Sequence, residues 1–415
     1  MENIVVAAYT LGCKVNHCDT ENILKHIVGA GGSTVNFTDQ ANVYIINTCT
    51  VTHASDKKSM QVIRRAKRQN PHAMVVVCGC MAQKPDITPS TLGVDFVFDS
   101  RKPEDLLKFL QLETVVVPIK VSHRTRAFVK IQDGCDRFCA YCIVPYMRGL
   151  PKSREAEDII QEVKDLVNTG VNEVVLTGIQ VAAYGEDLKN TSLAKLIGDI
   201  NFVPRLRLSS LEPCAINSAF IAMIKNAPYL CQHFHISLQS GCDATLQRMN
   251  RRYTTQEYAH IVEQLRSILP NVAITTDIIV GFPGETEEEF DQTLAFVQEI
   301  NFARIHVFEY SKREGTPAAT FENQVPEITK TNRSKILRDL ATNQALAFYQ
   351  GQVGQNMAVL FETSHNSTFL GHTSNYCPVE INHKNNLSNT IQNVAITGYN
   401  HNGLTGTIME DNYDR

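Results

Sequence analysis

The amino-acid sequence predicts an α/β protein with an N-terminal doubly wound, flavodoxin-like domain, a central partial (β/α)6 barrel and a C-terminal small antiparallel β-barrel. Three observations lead to this prediction. Apolar runs alternate with helical segments at the start of the chain, a strand and a helix recur about every 30 residues in its middle, and short alternating runs fill its end. The expected domains are residues 1–118, 119–349 and 350–415 of the 415-residue chain.

The amino-acid composition limits the classes of protein to which this chain can belong. Hydrophobic residues make up 43% of the chain and charged residues 20%, as in ordinary globular proteins, and the net charge of -4 excludes a uniformly basic nucleic-acid-binding protein. No apolar run is long enough to cross a membrane, and the segment from Met1 to Ile4 lacks the basic start of a signal peptide. We therefore expect a cytoplasmic protein with no membrane partner, whose twelve cysteines are metal ligands or buried thiols.

Three cysteines of the N-terminal domain are predicted to meet at one edge of its sheet. Cys13, Cys49 and Cys80 each follow a strand, and the carboxyl ends of parallel strands form one crevice. A three-ligand iron–sulfur site and small residues closing strand–helix turns are both open interpretations. Cys78 lies inside a strand and Cys18 near a helix start, so neither is favoured as a ligand. The predicted strands and helices are, in order, Asn3–Tyr9, Asp19–Val28, Val43–Ile46, Ala54–Gln69, Met74–Val77 and Val94–Phe98.

The central domain carries a second group of cysteines, Cys135, Cys139 and Cys142, just after its first predicted strand. Thiolates at this spacing hold three corners of a cubane iron–sulfur cluster and leave the fourth iron without a protein ligand. A zinc site normally closes with four ligands and is the weaker interpretation. The six predicted strands of the barrel are Ala127–Ile131, Glu173–Thr177, Arg205–Ser209, His233–Leu238, Ala273–Val280 and Arg304–Tyr310. Polar residues after these strands are expected at the functional end of the barrel.

The whole chain resembles the methylthiotransferase family of radical S-adenosylmethionine (SAM) enzymes. The resemblance runs from Ile4 to about Ile408 and is specific, because two separated cysteine triads occur in the family's order. The C-terminal barrel is similar to a TRAM domain, and the amino-acid sequence around Cys13 and Cys49 is most similar to that of the MtaB branch. The segments that carry the resemblance are Leu11–Asn16, Asn47–Thr52, Gly79–Gln83, Gln132–Gly149, Ser209–Pro213 and Ser237–Gly241.

The resemblance implies an enzyme that adds a methylthio group to carbon 2 of N6-threonylcarbamoyladenosine at position 37 of tRNA. It implies two 4Fe-4S clusters, an auxiliary cluster on Cys13, Cys49 and Cys80 and a radical SAM cluster on the other triad. Two SAM molecules would be used per turnover, one to methylate a sulfur species and one to be cleaved reductively. The implied partners are the anticodon stem-loop of tRNA and an electron donor such as flavodoxin or ferredoxin.

Candidate contacts to SAM and RNA follow from position and charge. Residues beside the cluster loop or after the barrel strands are the candidates for binding SAM: Tyr141, Gln180, Glu212 and Gln239. Basic residues on a predicted helix, after the cluster loop and near a strand end are the candidates for binding phosphate: Lys57, Lys58, Arg64, Arg65, Arg68, Arg148, Arg248 and Arg252. Solvated helix faces explain such basic runs equally well.

Other functions remain open on this basis. A methylthiotransferase that acts on isopentenyladenosine in tRNA, or on an aspartate of a ribosomal protein, would share both cysteine triads. An iron–sulfur scaffold or redox sensor would also keep the clusters but would need no SAM site.

Overall fold

The computed structural model describes residues 4–113 and 125–409, and the predicted boundary between residues 118 and 119 lies outside these ranges. The chain divides into two compact units. One, here called the N-terminal unit, comprises Met1–Val121, Asp133–Pro151 and Ser311–Thr320. The other, here called the barrel unit, comprises Ser122–Gln132, Lys152–Tyr310 and Phe321–Arg415.

The N-terminal unit is built on a five-stranded parallel sheet. Its strands are β1 (Val5–Thr10), β2 (Ser33–Val35), β3 (Val43–Thr48), β4 (Met74–Gly79) and β5 (Phe96–Val97), in the spatial order β2-β1-β3-β4-β5. All six residues of β3 are buried, because side chains on both faces of this central strand pack under helices. The helices are α1 (Lys14–Gly29), α2 (His53–Gln69), α3 (Pro89–Leu92) and α4 (Pro103–Phe109). The predicted doubly wound fold is confirmed.

Helix α1 begins earlier than the predicted start at Asp19. Cys13 is its N-cap residue, so the helix follows β1 after only a three-residue turn. Asn16 stabilises this tight connection, because its side-chain amide donates to Leu11 O at 2.6 Å and to Thr48 O at 3.1 Å. Cys18 therefore lies inside the helix.

The barrel unit contains six parallel strands that form an incomplete barrel, as predicted. They are β6 (Arg126–Asp133), β8 (Glu173–Gly178), β9 (Arg205–Leu208), β10 (His233–His235), β11 (Ala273–Val280) and β12 (Arg304–Glu309), with the short β7 (Lys152–Ser153) beside β6. Strands β7, β6, β8 and β9 form one sheet, and β10, β11 and β12 form another. Parallel bridges from Leu206 to Leu230 and from Leu211 to Ile236 link the two sheets.

Helices separate the barrel strands. They are α5 (Val144–Arg148), which belongs to the N-terminal unit, α6 (Ala156–Asn168), α7 (Leu193–Asp199), α8 (Ser218–Ile224), α9 (Asp243–Arg248), α10 (Thr255–Ile268), α11 (Glu287–Ile300) and α12 (Glu327–Gln350). Thr254 and Thr286 begin α10 and α11 with capping boxes, in which the threonine side chain and a glutamate three residues later bind each other's backbone amides. These local signals explain why both helices are predictable from sequence.

The C-terminal strands close into a small five-stranded barrel. They are β13 (Asn356–His365), β14 (Thr368–Thr373), β15 (Pro378–Asn382), β16 (Thr390–Asn400) and β17 (Gly403–Ile408), in the order β13-β14-β15-β17-β16. Arginines of the neighbouring sheet reach this barrel: Arg205 donates to Ala358 O at 2.6 Å, and Arg207 donates to Ser374 O at 3.2 Å. The small barrel is thus bound to the larger one within the same unit.

None of the helices in the described ranges is long and apolar enough to cross a membrane.

Candidate functional site

The carboxyl ends of β1, β3 and β4 bring Cys13, Cys49 and Cys80 to one edge of the N-terminal sheet. Leu11 N donates to Asn47 O at 2.8 Å and Cys80 N donates to Thr48 O at 3.0 Å, so the three turns stay paired beyond the strands. Gly12 has φ of +96°, and a Cβ on it would lie 3.1 Å from the Cys49 sulfur. Glycine is needed there because the turn must pass directly against a thiol.

The three thiols influence one another electrostatically. Burial, assisted by the charges of Cys13 and Cys49, raises the pKa of Cys80 to about 11. Burial also raises the pKa of Cys13, while the guanidinium of Arg148 opposes the increase in both residues. Three thiols at one edge of the sheet, beside one buried cation, form a ligand set that fits an iron–sulfur cluster. The iron of such a cluster supplies the remaining positive charge that keeps buried thiols ionised.

Arg148 holds this region together. It is 5% exposed, and its Nη1 lies 3.0 Å from Asp19 Oδ2 and 2.9 Å from Asp133 Oδ2, while Nη2 donates to Asn16 Oδ1. Its backbone carbonyl accepts from Arg101 Nη1 at 2.7 Å. The expectation that Arg148 binds phosphate is therefore corrected, because its charge is neutralised inside the protein.

The second cysteine triad lies on a tightly folded loop of the same unit. Cys135 N donates to Gly149 O at 2.9 Å, Cys142 N donates to Cys139 O at 2.9 Å, and Arg137 N donates to Cys135 Sγ at 3.5 Å. Amides directed at sulfur are a feature that stabilises cluster thiolates.

Two residues of the loop adopt left-handed backbone conformations. Gly134 has φ of +77°, and a Cβ there would lie 2.0 Å from Leu150 O. Phe138, between the first two cysteines, has φ of +45° and is 41% exposed. Its ring makes an edge contact with Tyr146 at 5.6 Å between ring centroids. The strained loop thus places an exposed aromatic pair next to the cysteines.

The candidate SAM-binding residues of the barrel unit lie where the strands end. Gln180 is buried, and its backbone N–H donates to Gln132 Oε1 at 2.8 Å. Gln239 has φ of +72°, a conformation that costs energy for a residue with a side chain. Glu212 Oε1 lies 3.4 Å from Arg251 Nη1. Tyr141 belongs to the N-terminal unit and is half-buried.

Most of the candidate RNA-binding residues remain at the surface. Helix α2 buries Val62, Ile63 and Ala66 and exposes the basic residues on its other side, which are Lys57, Lys58, Arg64, Arg65 and Arg68. Arg252 is exposed as well. Arg248 differs, because Glu289 binds both of its terminal nitrogens.

Several residues that form ion pairs and hydrogen bonds beside the first cysteine triad are absent from the sequence-based predictions. Asn16 and Asp19 hold Arg148, and Arg313 donates to Asp56 Oδ2 and to Thr50 Oγ1, both at 2.8 Å, next to the Cys49 turn. No motif marks these pairings, since their members are separated by up to 263 residues. Only tertiary contact reveals them.

Comparison with known proteins agrees with this arrangement. The model of the radical SAM superfamily matches residues 129–297, and that of the uncharacterized protein family UPF0004 matches residues 5–99. The chain is 40% identical to threonylcarbamoyladenosine tRNA methylthiotransferase MtaB of Bacillus subtilis, with 98% of this chain and 97% of the relative covered. The protein belongs to the radical SAM tRNA methylthiotransferase family.

A second relative supports this membership, and a solved structure supports the fold. The tRNA-2-methylthio-N(6)-dimethylallyladenosine synthase of Clostridium novyi is 34% identical over 96% of this chain and 95% of its own. Among solved structures, the radical SAM methyltransferase TsrM of Kitasatospora setae has the same fold over 88% of this chain and 79% of its own, with a TM-score of 0.57 at 12% identity. The predicted family, enzyme class and fold are confirmed. As a radical SAM tRNA methylthiotransferase, the protein uses SAM and 4Fe-4S clusters.

Proposed function

We propose that this methylthiotransferase modifies carbon 2 of N6-threonylcarbamoyladenosine at position 37, in the anticodon stem-loop of tRNA. The observation that carries the proposal is the 40% identity, over 98% of the chain, to a relative whose name specifies threonylcarbamoyladenosine. The reaction replaces the C–H bond at carbon 2 with a C–S bond. One SAM would become S-adenosylhomocysteine on giving its methyl group to sulfur. The other, with one electron, would give methionine and a deoxyadenosyl group that leaves as 5′-deoxyadenosine with the hydrogen lost from carbon 2.

The two cysteine triads would hold separate 4Fe-4S clusters in this reaction. Cys13, Cys49 and Cys80 supply the ligands of the auxiliary cluster, and the thiols of the loop at 135–142 supply those of the radical SAM cluster. Bound there, the clusters would provide the transferable sulfur and the electron that cleaves SAM. Arg148 balances the negative charge of the auxiliary thiolates, and Gly134 and Phe138 fix the shape of the second loop.

The residues after the barrel strands are proposed to bind SAM. Gln180 and Gln239 present amide groups, and Glu212 presents a carboxylate suited to the ribose hydroxyls. Ser209 Oγ is buried without a hydrogen-bond partner among the described residues, which is consistent with a polar ligand nearby. Tyr141 would pack on the adenine ring. Flavodoxin or ferredoxin is the proposed electron donor.

The exposed basic face of α2, together with Arg252, is proposed to contact the phosphates of the tRNA. The side chains of Lys57, Arg64 and Arg68 are free to approach a polyanion, because the helix buries only its opposite side. Contacts of this kind position an RNA without reading its sequence.

Paired cysteine variants test the assignment of the clusters. In anaerobically reconstituted protein, Cys139→Ala should abolish the production of 5′-deoxyadenosine, whereas Cys49→Ala should retain it and lose methylthiolation. Cys377→Ala is the matched control, because Cys377 is buried like the tested cysteines but lies in the core of the C-terminal barrel and in neither triad. Methylthiolated product from the Cys49 variant would contradict the auxiliary cluster as the source of sulfur.

The substrate is tested by mass spectrometry of nucleosides after reaction with defined tRNAs. We expect product from tRNA that carries threonylcarbamoyladenosine and none from tRNA that carries isopentenyladenosine. Turnover of the isopentenyl form, or of a ribosomal-protein aspartate, would replace this substrate assignment with one of the other branches of the family.

A further inference from the structure

Three polar side chains on neighbouring barrel strands converge outside the cysteine triads and the proposed SAM contacts. They are His235 at the end of β10, Asp277 in β11 and His306 in β12, and one ligating atom from each lies within 4.8 Å of the others. His235 Nε2 is 3.2 Å from Asp277 Oδ2, and the two imidazole rings are 5.9 Å apart between centroids. The cluster is open to a ligand, because His306 is exposed and the other two are partly exposed.

The cluster lies on the face of the sheet that the helices do not cover. Along β12, Ile305 and Val307 are buried and helix α12 packs against this strand, whereas the alternating His306 and Phe308 are exposed. The inner face of a complete barrel is filled with apolar side chains. Here the inner face of β12 carries an imidazole and an aromatic ring, with Phe308 49% exposed.

Polar and apolar groups are separated along this face. In the strand register Asp277 pairs with His306, and two residues further toward the carboxyl end Ile279 pairs with Phe308. Two residues of a strand span about 6.6 Å. The apolar surface of Ile279 and Phe308 thus lies closer to the carboxyl ends of the strands than the polar cluster does. Barrel enzymes carry out their chemistry at those ends.

We propose that His235, Asp277 and His306 form a subsite that binds the threonylcarbamoyl substituent of the target adenosine, with Phe308 and Ile279 against the purine ring. The inference rests on the proposed function and extends it to specificity. The substituent carries a carboxylate, a hydroxyl and ureido N–H groups, which match an imidazole N–H donor on His306 and a carboxylate acceptor on Asp277. An isopentenyl group offers none of these, so on binding it would cover the polar groups of the subsite without hydrogen-bonding to them.

The subsite is already organised for polar recognition. His235 Nδ1 lies 3.0 Å from Thr275 Oγ1, which fixes the ring with its other nitrogen toward Asp277. Thr275 is itself buried and belongs to β11, so the orientation is set by the sheet. Both ring nitrogens of His235 are engaged in this way, so His235 orients Asp277. A ligand therefore meets the other carboxylate oxygen of Asp277 as an acceptor and the exposed imidazole of His306 as a donor, with little rearrangement.

His306→Phe tests the subsite, because it keeps a ring of similar size and removes the hydrogen-bonding nitrogens. We expect kcat/KM for tRNA carrying threonylcarbamoyladenosine to fall by about tenfold to a hundredfold, as for the loss of one hydrogen bond to a charged group. The ratio of this value to the rate of 5′-deoxyadenosine production without tRNA should fall by the same factor, because the subsite lies outside the proposed SAM contacts. The ratio does not depend on the fraction of active enzyme, and His306→Asn should recover part of it through its amide donor.

His260→Phe is the matched control, since His260 is an exposed histidine on helix α10, and it should leave the ratio unchanged. An unchanged ratio in both His306 variants would overturn the subsite while leaving the proposed function intact. If the unsubstituted protein does not modify threonylcarbamoyladenosine at all, the proposed function itself has failed.

A metal ion is the competing occupant, because two histidines and an aspartate at this spacing also suit a divalent cation. Elemental analysis of the iron–sulfur-loaded protein distinguishes the two. We expect no stoichiometric zinc, manganese, cobalt or nickel. One equivalent of such a metal that His306→Asn removes would overturn the subsite, since the donors would then be occupied.

Discussion

Arg148 is the residue whose role changes most between sequence and structure. Its position shortly after a cluster loop predicts contact with phosphate, yet its guanidinium binds Asp19, Asp133 and Asn16 and faces the thiol of Cys80. Two carboxylates and the thiols of Cys13 and Cys80 share this single buried charge. An arginine suits this place better than a lysine, because its fixed planar donors reach several acceptors at once.

Replacing Arg148 should destabilise the protein strongly. Arg148→Gln leaves Asp19 buried without its cation, and removing one partner of a buried ion pair costs about 3–5 kcal/mol. Urea unfolding followed by circular dichroism measures the effect, which suits a chain with no tryptophan. Lys335→Gln is the control, because this side chain is 79% exposed and its surface pair with Asp339 is worth about 1 kcal/mol or less. Equal shifts in the two variants would contradict a buried charge at Arg148.

Among the elements of the barrel unit, the strands β8 and β9 are joined by a buried ion pair as well as by backbone hydrogen bonds. Glu173 at the start of β8 accepts from Arg207 Nε at 2.7 Å and from Nη2 at 3.0 Å. Burial alone would raise the pKa of Glu173, but the charge and hydrogen bonds of Arg207 outweigh it and hold the pKa below the ordinary value. Arg207 also lies over the Tyr376 ring at 4.5 Å, so the pair extends to the C-terminal barrel.

The lowered pKa of Glu173 predicts a specific pH dependence of stability. A carboxyl group whose pKa is lower in the folded state stabilises the protein fully above its unfolded pKa of 4.5. This contribution is lost as the pH falls through the folded value. Glu173→Gln should therefore be less stable by about 3–5 kcal/mol near neutral pH, and its deficit relative to the unsubstituted protein should shrink below about pH 4.5. Unfolding midpoints across this range provide the measurement.

The control for this pH dependence is Glu263→Gln on helix α10, whose carboxylate is 83% exposed. It should change stability by less than about 0.5 kcal/mol at every pH. A deficit of Glu173→Gln that stays constant through the acid range would show that the effect is one of shape rather than charge.

For the whole molecule, the net charge of -4 means that attraction to RNA must be local. Helix α2 is the strongest exposed basic surface among the predicted ones, since Arg148 is buried and Arg248 is bound by Glu289. The C-terminal barrel adds little positive charge, having Lys384 alone between residues 351 and 409. Salt dependence should therefore arise mainly from α2.

Neutralising α2 tests this distribution. The triple variant Arg64→Gln, Arg65→Gln and Arg68→Gln should lower the slope of log affinity against log salt by roughly 0.7–0.9 for each phosphate that the helix no longer neutralises. The readout is tRNA binding measured over a series of salt concentrations. A triple variant of exposed lysines with the same charge change, Lys189→Gln, Lys195→Gln and Lys335→Gln, should leave the slope closer to that of the unsubstituted protein. Equal slopes in the two variants would mean that the net charge of the protein, and not the position of the charges on α2, determines the salt dependence of tRNA binding.

The structure also shows that the C-terminal barrel is not a detachable module. Arg205 and Arg207 are nearly fully buried, and both donate to backbone carbonyls of the small barrel. Arg126 pairs with Glu362 at 2.7 Å. Excising residues 351–415 would leave Glu173 as the one carboxylate beside these three cations among the described residues, and it would disturb the sheet that carries the proposed SAM contacts. Point variants are therefore the better means of testing the RNA-binding role of this barrel.

Features that depend on local pattern can be predicted from the amino-acid sequence alone. Apolar periodicity predicts the parallel sheets, capping residues predict where α10 and α11 begin, and close cysteine spacing predicts the second triad. The first triad is also predictable, because the ends of adjacent parallel strands must meet. These signals act over a few residues or follow from topology.

Which side chains meet across large separations depends on the tertiary structure. Arg148 finds Asp19 across 129 residues, and His235, Asp277 and His306 come together only because β10, β11 and β12 are neighbours in a particular register. The amino-acid sequence alone does not distinguish an exposed basic residue, such as Arg64, from a buried one, such as Arg148. The difference is physical, since a charge leaves water only where folding supplies carboxylates to compensate for its lost hydration.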